Sequence, residues 1–445
     1  MSAVTAEPHA AVAVRIEALA AGGEGMGHLE DGRVVFVPRT APGDRAEIVL
    51  ERVKKRWARG RLVRILEESP SRVPPPCRHF ARCGGCALQH LPYPEQLLWK
   101  GIFIRDALSR IGGREETAPP AVVPSPRTLH YRSRLRFTLR RLRGGRVVAG
   151  FHDVERPSRV VDLSDCLLGE EPLVRVWSAL RDAWGPGARR LPAGRRLGLT
   201  LRLEGEGAEG GGGVPPVPRV HLVVEGGAPG WEPESVLWES TGLASVWHRP
   251  GAAEAPRRVG GPVSRDFSQT SPPDSPPTGF EQANRAAGAA LVSHVVTSAL
   301  QATPGKVVDA YCGGGAYGLP LAAEGIRVVG IERDPEAAAR ARDAAPSGFA
   351  LLEGPVEERL GRALPADVAI LNPPREGLAR EVVEVLLATP PDVILYVSCN
   401  PATLARDLHR LASGYRLDAV TGFDLFPQTA HVEAVARLLQ EGGRR

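Results

Sequence analysis

The sequence has no long hydrophobic run and few cysteines. Its apolar segments are shorter than the roughly 18 residues that a membrane-spanning helix needs, so no membrane span is predicted. Six cysteines in 445 residues, with no signal-peptide pattern at the start, argue against a secreted protein held together by disulfides. We therefore expect a cytoplasmic protein whose thiols stay reduced.

A strong net charge is also missing. The formal net charge is +5 and the isoelectric point is about 9.0, which is mild for a nucleic-acid-binding protein. An anionic partner would then be bound by local basic patches rather than by the whole surface. The length and an apolar content of 43% are sufficient for two to four domains with buried cores.

The last third of the chain carries the marks of a nucleotide-binding α/β domain. A short apolar strand contains Asp309 and runs into Tyr311 and three consecutive glycines, 313–315, which let a backbone approach a ligand closely. A second strand ends at Glu332, where a carboxylate can bond ribose hydroxyls. The loop is neither a G-x-G-x-x-G dinucleotide pattern nor a P-loop. A simple tight turn is the alternative interpretation.

One cysteine, Cys399, follows the apolar run VILYV and precedes a helical segment that starts after Asn400 and Pro401. This pattern predicts a buried parallel strand with Cys399 at its carboxyl end, which is where open α/β sheets bind ligands and place reacting groups. The thiol is then a candidate nucleophile. The alternative is a small buried residue without chemical function.

Three other cysteines, Cys77, Cys83 and Cys86, follow a C-x5-C-x2-C pattern, and Cys166 lies about eighty residues further on. Four thiolates make one [4Fe–4S] site, and the same spacing also allows tetrahedral zinc. A structural disulfide is disfavoured by the expected reducing compartment.

Five short segments together identify a family resemblance. The chain resembles the iron–sulfur-containing RNA 5-methyluridine methyltransferases, the RumA/RlmD type of the uracil-C5 methyltransferase family, over nearly its whole length. The segments that carry the resemblance are CGGC (83–86), FEQAN (280–284), NPPREGL (372–378), SCNP (398–401) and HVE (431–433). The resemblance also favours an iron–sulfur cluster over zinc at the four cysteines.

The resemblance implies an α/β fold class with three domains. These are an OB-like TRAM β-barrel at 11–68, a central α+β domain with the iron–sulfur loop at 69–278, and a Rossmann-like S-adenosylmethionine (SAM) methyltransferase domain at 279–445. Alternating apolar residues in the ranges 12–16, 33–37, 46–49 and 60–65 support the barrel. Two Gly- and Pro-rich stretches, 204–218 and 249–278, are predicted to be loops.

The family chemistry assigns roles to individual residues. The thiolate of Cys399 would add to carbon 6 of uracil, and Glu433 would remove the proton from carbon 5 after methyl transfer. Without the resemblance, Glu433 reads as a solvated surface charge. The expected contacts to SAM or the base are Gln282, Asp309, Tyr311, Gly313, Gly315, Glu332 and Asn372.

Two basic segments are expected to contact RNA. Between the barrel strands 46–49 and 60–65 lies a basic run with one aromatic residue, which suits phosphate contact and base stacking. A second set lies in an alternating stretch, 130–141, of the central domain. The named candidates are Lys54, Lys55, Arg56, Trp57, Arg132 and Arg134; a solvated charged face is the alternative for the first set.

Two positions depart from the family pattern, because Asn372 and Pro355 stand where the family usually has Asp. Rival functions fit less well. An exocyclic-amine methyltransferase needs an aromatic residue where Arg375 stands, a cytosine-C5 enzyme would have a second cysteine in that loop, and neither explains Glu433. A non-catalytic RNA-binding protein is the third alternative. We expect a monomer that acts on ribosomal RNA rather than transfer RNA.

Overall fold

The computed structural model describes residues 11–114, 118–204, 218–262 and 281–442, and contains three β-sheets. The first is a closed five-stranded barrel, the second has six strands and the third has eight. The predicted fold class, a barrel followed by a central α+β unit and a methyltransferase-like α/β unit, is confirmed. None of the helices in these ranges is long and apolar enough to cross a membrane.

The barrel has the strand order β1-β2-β3-β5-β4. Its strands are β1 Ala11–Leu19, β2 Gly25–His28, β3 Val34–Val37, β4 Arg45–Val53 and β5 Trp57–Glu67. Alternate apolar residues point inward, as expected from the period of two along a strand. Strand β2 was not predicted, because its sequence GMGH contains two glycines and reads as a turn. Residues Arg52, Trp57 and Arg59, predicted between strands, lie within β4 and β5.

The central sheet has the order β12-β11-β10-β9-β7-β8 and one long helix packed on it. Its elements are β7 Arg134–Arg141, β8 Val147–Gly150, α2 Glu171–Ala183, β9 Arg196–Leu203, β10 Val220–Glu225, α3 Val236–Glu239, β11 Leu243–Arg249 and β12 Arg257–Gly260. Two predictions were wrong in detail. Strand β12 lies inside the range 249–278 that was predicted to be loop, and β7 begins at Arg134 rather than at His130, whose φ is +51°. Residues 205–217 and 263–280 of the predicted loops lie outside the described residues.

The third sheet supplies the carboxyl-terminal strand edge that the sequence predicted. Its strands β13 Lys306–Ala310, β14 Arg327–Glu332, β15 Phe349–Glu353, β16 Val368–Leu371 and β17 Val393–Ser398 are parallel. Strands β18 Tyr415–Phe423 and β19 Glu433–Gln440 also belong to this sheet, and β19 runs antiparallel to β17. The flanking helices are α4 Arg285–Leu300, α5 Gly318–Ala323, α6 Pro335–Asp343, α7 Val356–Ala363, α8 Arg380–Ala388 and α9 Pro401–Leu411.

Part of the predicted central range packs on the C-terminal sheet instead. Helix α1, Tyr93–Arg110, buries Ile104 and Leu108 in the same core as the strands of that sheet. The two-residue strand β6, Val122–Val123, pairs with β18 at the sheet edge. A strand this short carries no periodicity, so the sequence could not assign it to a sheet. Helix α1 and strand β6 therefore pack with the C-terminal sheet, although they follow the first three cysteines in the chain.

Candidate active site

Cys399 and Glu433 lie together at the end of the C-terminal sheet. Ser398 pairs with Ala434 as the last pair between β17 and β19, so Cys399 and Glu433 are the next residues on the two strands. Directly opposed residues of an antiparallel pair have their Cα atoms about 4.5–5.5 Å apart. The thiol is half-buried, and the carboxyl group is buried, with Glu433 7% exposed. A candidate nucleophile and a candidate base are thus adjacent.

The electrostatics of this pair depend on a third residue, Arg375, from the loop after β16. Burial raises the pKa of Cys399, the carboxylate of Glu433 raises it further, and the Arg375 guanidinium lowers it by charge and hydrogen bonding. Burial also raises the pKa of Glu433 to about 7, with Arg375 opposing. A carboxyl group that titrates near neutral pH can both take up and release a proton under working conditions.

Arg375 was noted in the sequence only because it is not aromatic, so its role here was missed. The loop that carries it is tied to the Cys399 loop through its backbone. The Asn400 side-chain amide and the Thr403 hydroxyl both donate to the Arg375 carbonyl, at 3.3 Å and 3.2 Å. Asn400 also caps α9 by accepting from the Ala402 amide. An N-cap pattern predicts where a helix begins, and it carries no information about which other loop lies beside that helix start.

The glycine loop after β13 has the conformation that its sequence requires. Gly313 and Gly315 have φ angles of +57° and +85°, which residues with a Cβ rarely adopt. A Cβ on Gly315 would lie 2.5 Å from Leu319 Cγ, whereas one on Gly313 would meet no described atom within 4 Å. The loop therefore presents an open backbone surface at the strand edge, which suits close approach of a ligand. Tyr311, with φ of +64°, packs at the margin of the core beside it.

Two carboxylates hold this loop in place. Glu332 accepts hydrogen bonds from the amides of Gly313 and Asp334, at 2.9 Å and 2.7 Å, and remains half-buried with further lone pairs available. Asp309 is fully buried and accepts from the Gly318 amide at 2.9 Å, while its Oδ1 has no hydrogen-bond partner within the described part of the chain. Burial raises the pKa of Asp309 to about 7. Asp309 thus stabilises the glycine loop from the buried side, through its hydrogen bond with the Gly318 amide.

The other two predicted ligand contacts, Asn372 and Gln282, come from different segments of the chain. Asn372 follows β16 and is half-buried. Its backbone amide donates to the Ala310 carbonyl at 3.3 Å, so Asn372 borders the glycine loop. Gln282 lies two residues before Asn284, which is the N-cap of helix α4. Phe280 of the same motif lies outside the described residues. Pro355 is the N-cap residue of α7, and it makes no side-chain hydrogen bond to the first amides of that helix.

Tyr317 connects the glycine loop to the base and was not predicted. Its ring is buried in the core with Val435, the third residue of β19. The carboxylates of Asp309 and Glu433 are both near enough to raise the pKa of its hydroxyl, after the larger effect of burial. The glycine loop and Glu433 therefore face one another across a single aromatic side chain.

The four predicted metal ligands are brought to one place. Cys77, Cys83, Cys86 and Cys166 line a common cavity at the surface of the central unit. Burial raises the pKa of Cys83 to about 11 and that of Cys86 to about 12, and the neighbouring thiols add to both shifts. Within the described ranges, no three His, Cys, Asp or Glu side chains are grouped closely enough to hold one metal ion.

The predicted RNA contacts fall into two kinds. Lys54, Lys55 and Arg56 form the exposed turn between β4 and β5 and have no carboxylate partner among the described residues. Trp57 is half-buried, packs edge-on against Phe36, and lies under the Arg52 guanidinium at 5.4 Å. This turn is consequently a free cationic edge beside an aromatic ring.

The central arginines are more engaged with the protein than predicted. The Arg132 guanidinium lies 5.7 Å from the Tyr131 ring and 5.9 Å from the Phe426 ring, and is close enough to Cys86 and Cys166 for their charges to affect its pKa. Arg134 is half-buried, and burial together with Arg202 lowers its pKa. A strongly positive outward face is therefore supported at Arg134 and less so at Arg132.

Comparisons with known proteins agree with this geometry. A sequence profile described as tRNA (uracil-5-)-methyltransferase matches residues 363–441, and a TRAM-domain profile matches residues 10–63. The chain is 35% identical to an uncharacterized RNA methyltransferase of Gloeobacter violaceus, over 96% of each chain. It is 34% identical to the 23S rRNA (uracil(1939)-C(5))-methyltransferase RlmD of Methylococcus capsulatus, over 97% of each.

A solved structure has the same overall arrangement. The tRNA (uracil-54, C5)-methyltransferase of Pyrococcus abyssi, in complex with S-adenosyl-L-homocysteine, aligns with a TM-score of 0.66 and 27% identity, covering 96% of this chain and 100% of that one. Both the sequence matches and this structural match extend from the barrel to the loop that carries Cys399. The chain belongs to the family of RNA uracil-C5 methyltransferases.

Proposed function

We propose that this protein methylates carbon 5 of one uridine in RNA through a covalent adduct between Cys399 and carbon 6 of the base. The observation that carries the proposal is the adjacency of Cys399 and Glu433 across β17 and β19, with the pKa of Glu433 raised to about 7. Carbon 5 of uracil is a weak nucleophile, and addition of a thiolate at carbon 6 gives an enolate that can attack an electrophilic methyl group.

The proton transfers assign separate tasks to the two residues. Cys399 reacts as a thiolate, which Arg375 stabilises against the opposing effects of burial and Glu433. After methyl transfer, carbon 5 still carries its hydrogen, and the Glu433 carboxylate removes that proton while the bond between sulfur and carbon 6 breaks. The thiolate is regenerated and the double bond between carbons 5 and 6 is restored. Glu433 then returns its proton to solvent, which its pKa near neutrality allows.

SAM supplies the methyl group as a sulfonium electrophile. The open backbone at Gly313 and Gly315 and the remaining lone pairs of Glu332 suit a nucleoside with a ribose diol. Tyr311 and Asn372 border the same loop, and Gln282 is included among the proposed contacts because its segment, FEQAN, carries the family resemblance. The complex of the Pyrococcus abyssi relative with S-adenosyl-L-homocysteine supports this donor.

The four cysteines are proposed to hold a [4Fe–4S] cluster. Their side chains line one cavity, and four thiolates can supply one ligand to each iron of a [4Fe–4S] cluster. Burial raises the pKa of Cys83 and Cys86, the neighbouring thiolates raise it further, and bound cations would relieve that repulsion. Methyl transfer is a polar reaction, so the cluster would shape the fold and the RNA surface.

The RNA substrate is proposed to be 23S ribosomal RNA, with transfer RNA as the second candidate. Relatives from Methylococcus capsulatus and Thiobacillus denitrificans, at 34% and 32% identity over more than 90% of the chain, are named for uracil 1939 of 23S rRNA. The solved relative from Pyrococcus abyssi is named for uracil 54 of tRNA and supports the second candidate. The free cations of the turn at 54–56 suit phosphate contact with either RNA.

The function is tested by measuring 5-methyluridine in purified 23S rRNA and in tRNA from a strain that lacks the gene. We expect the nucleoside to be lost at one position of 23S rRNA, to return with the wild-type gene, and to stay absent with Cys399→Ala. Loss from tRNA alone would favour the second candidate. Unchanged 5-methyluridine in both RNAs would favour the non-catalytic RNA-binding alternative and contradict the proposal.

A further inference from the structure

One buried loop, residues 424–432, connects β18 to Glu433 at the start of β19. Several segments distant in sequence hold this loop by hydrogen bonds. The Tyr131 hydroxyl donates to the Pro427 carbonyl at 3.1 Å, and the Asn284 amide donates to the Leu425 carbonyl at 3.2 Å. Further contacts come from helix α1, from the two residues that follow Cys86, and from the carbonyls of Val123 and Thr128, which accept from the Asp424 amide and the Gln428 side chain. The position of Glu433 therefore depends on groups outside its own sheet.

Gln428 is the centre of these contacts. Its side chain is 7% exposed and its φ is +69°, a conformation that residues other than glycine adopt only where their surroundings require it. Its carbonyl accepts from the amides of both Ala87 and Leu88, at 2.9 Å and 3.0 Å. Those two residues directly follow Cys86, the third of the four clustered cysteines. The cysteine-bearing segment is thus joined to the base-bearing loop through one residue.

Gln96 of helix α1 completes the contact by pairing with Gln428. Its Oε1 accepts from the Gln428 backbone amide at 3.0 Å, and its Nε2 donates to the Gln428 Oε1 at 3.0 Å. The same Nε2 donates to the carbonyls of Leu88 and Leu91, at 3.1 Å and 2.9 Å. Gln96 is 1% exposed, so water cannot replace these partners when they are removed.

A buried ion pair fixes the other end of the loop. Lys100, one turn along α1 from Gln96, contacts Asp424 at 2.5 Å, and both side chains are fully buried. The Lys100 ammonium also donates to the Phe426 carbonyl at 3.1 Å. Helix α1 therefore grips the loop at both Asp424 and Gln428, and an ion pair at this depth has a defined geometry.

We propose that Gln428 is a positioning residue, docked by Gln96 on the cysteine-bearing segment, that keeps Glu433 opposite Cys399 for removal of the carbon 5 proton. The inference rests on the proposed function. It links the cysteine site to one chemical step, because a shift of residues 86–88 is transmitted to Gln428 and from there over five residues to the base. Addition of the thiolate and methyl transfer do not use Glu433 as a base, so loosening the loop slows elimination selectively.

The test uses two variants of the full-length protein, Gln96→Met and Gln428→Gly. Gln96→Met keeps the side-chain volume and removes every hydrogen bond of the amide. Gln428→Gly keeps the left-handed backbone and the carbonyl that accepts from Ala87 and Leu88, and removes only the side chain, so it tests the proposal even where Gln96→Met folds poorly. The control is Thr241→Val, which removes a buried hydroxyl bound to the Leu237 carbonyl, far from the loop in the central unit.

The readout is the fraction of enzyme trapped as a covalent adduct with a uridine-containing RNA and SAM, compared with wild type and with Glu433→Gln. We expect elimination to slow by roughly 10- to 100-fold, with adduct accumulating for both Gln variants and not for Thr241→Val. Hydrogen exchange of residues 424–433 should also accelerate in the Gln variants, with α4 unchanged.

Two different failures can be told apart. If Glu433→Gln traps adduct and the two Gln variants trap no more than wild type, with product falling only in proportion to the folded fraction, the positioning role is wrong. If Glu433→Gln itself traps no adduct, the assignment of the base fails, and the positioning role falls with it.

Discussion

Cys399 and Glu433 stand opposite one another at the open end of the antiparallel pair β17 and β19, one residue beyond the pairing of Ser398 with Ala434. The Glu433 carboxylate is close enough to the thiol for its charge to raise the pKa of Cys399, in addition to the larger effect of burial. Burial on the same edge raises the pKa of both groups, and Arg375 is the cation that opposes the rise.

Replacing the base should stabilise the fold at high pH. The folded-state pKa of Glu433, about 7, lies above the ordinary carboxyl value, so folding favours the protonated form and ionisation above neutrality is destabilising. Glu433→Gln should therefore raise the free energy of unfolding by about 3 kcal/mol near pH 8.5 and by only about 1 kcal/mol near pH 5. Urea unfolding at the two pH values measures this. Glu384→Gln, an exposed carboxylate paired with Arg380, is the control.

A gain in the free energy of unfolding that does not change with pH would show that folding does not raise the pKa of Glu433. Loss of stability at the higher pH would show that its carboxylate has a partner that compensates for burial.

Removing Arg375 should shift the reactivity of the thiol to higher pH. The guanidinium lowers the pKa of Cys399, so Arg375→Ala should raise it, because burial and Glu433 then act without opposition. Alkylation of the peptide that contains Cys399, followed by mass spectrometry over a pH series, reports this directly. Arg380→Ala, on an exposed arginine near the start of α8, is the matched control. An unchanged alkylation profile in Arg375→Ala would mean that Arg375 does not act on the thiol.

The barrel turn should account for part of the salt dependence of RNA binding. The triple variant Lys54→Ala, Lys55→Ala and Arg56→Ala should weaken binding and reduce the slope of log K against log salt by about 2–3. The control is the triple variant at Arg45, Arg61 and Arg64, which changes net charge equally but affects arginines paired with Glu67, Glu51 and Glu47. Equal losses of slope in both variants would indicate a general charge effect and contradict a contact at the turn.

Metal analysis of protein purified without oxygen should separate the two candidates for the cysteine site. We expect about four iron and four sulfide per chain, and loss of both with Cys83→Ser. Stoichiometric zinc without iron would contradict the cluster. Removal of the iron should lower the melting temperature and weaken RNA binding, since the cysteine loop contacts the barrel through Arg39, which donates to the carbonyls of Cys83 and Cys86. Full RNA binding after iron loss would contradict this structural role.

Local patterns in the sequence predicted the positions of most elements, because each depends on neighbours in the chain. The run VILYV identified β17 and the place of Cys399, and three glycines identified the loop after β13. The register that brings Glu433 opposite Cys399 is a pairing of distant strands, and only the family resemblance suggested it. The contact of Gln96 with Gln428 joins residues 332 positions apart, and no periodicity encodes such a contact.

The same limit explains the other differences. The sequence singled out Arg375 only because an aromatic residue is missing at that position. A single exposed arginine forms no recognisable pattern, and the role of Arg375 depends on the contact between its loop and the loop that follows Cys399. The range 69–278 was predicted to form the central domain, yet helix α1, which lies in that range, packs on the C-terminal sheet through Ile104 and Leu108. An amphipathic helix has an apolar face, but the sequence does not state which sheet that face will cover.

The central claim is tested most directly by trapping the reaction between the two residues at the end of β17 and β19. Glu433→Gln, incubated with SAM and a uridine-containing RNA, should accumulate a methylated RNA–protein adduct that survives denaturation, and the double variant with Cys399→Ala should form none. Peptide mass spectrometry should locate the adduct on Cys399. Normal turnover of Glu433→Gln without an adduct, or an adduct that persists without Cys399, would contradict the account.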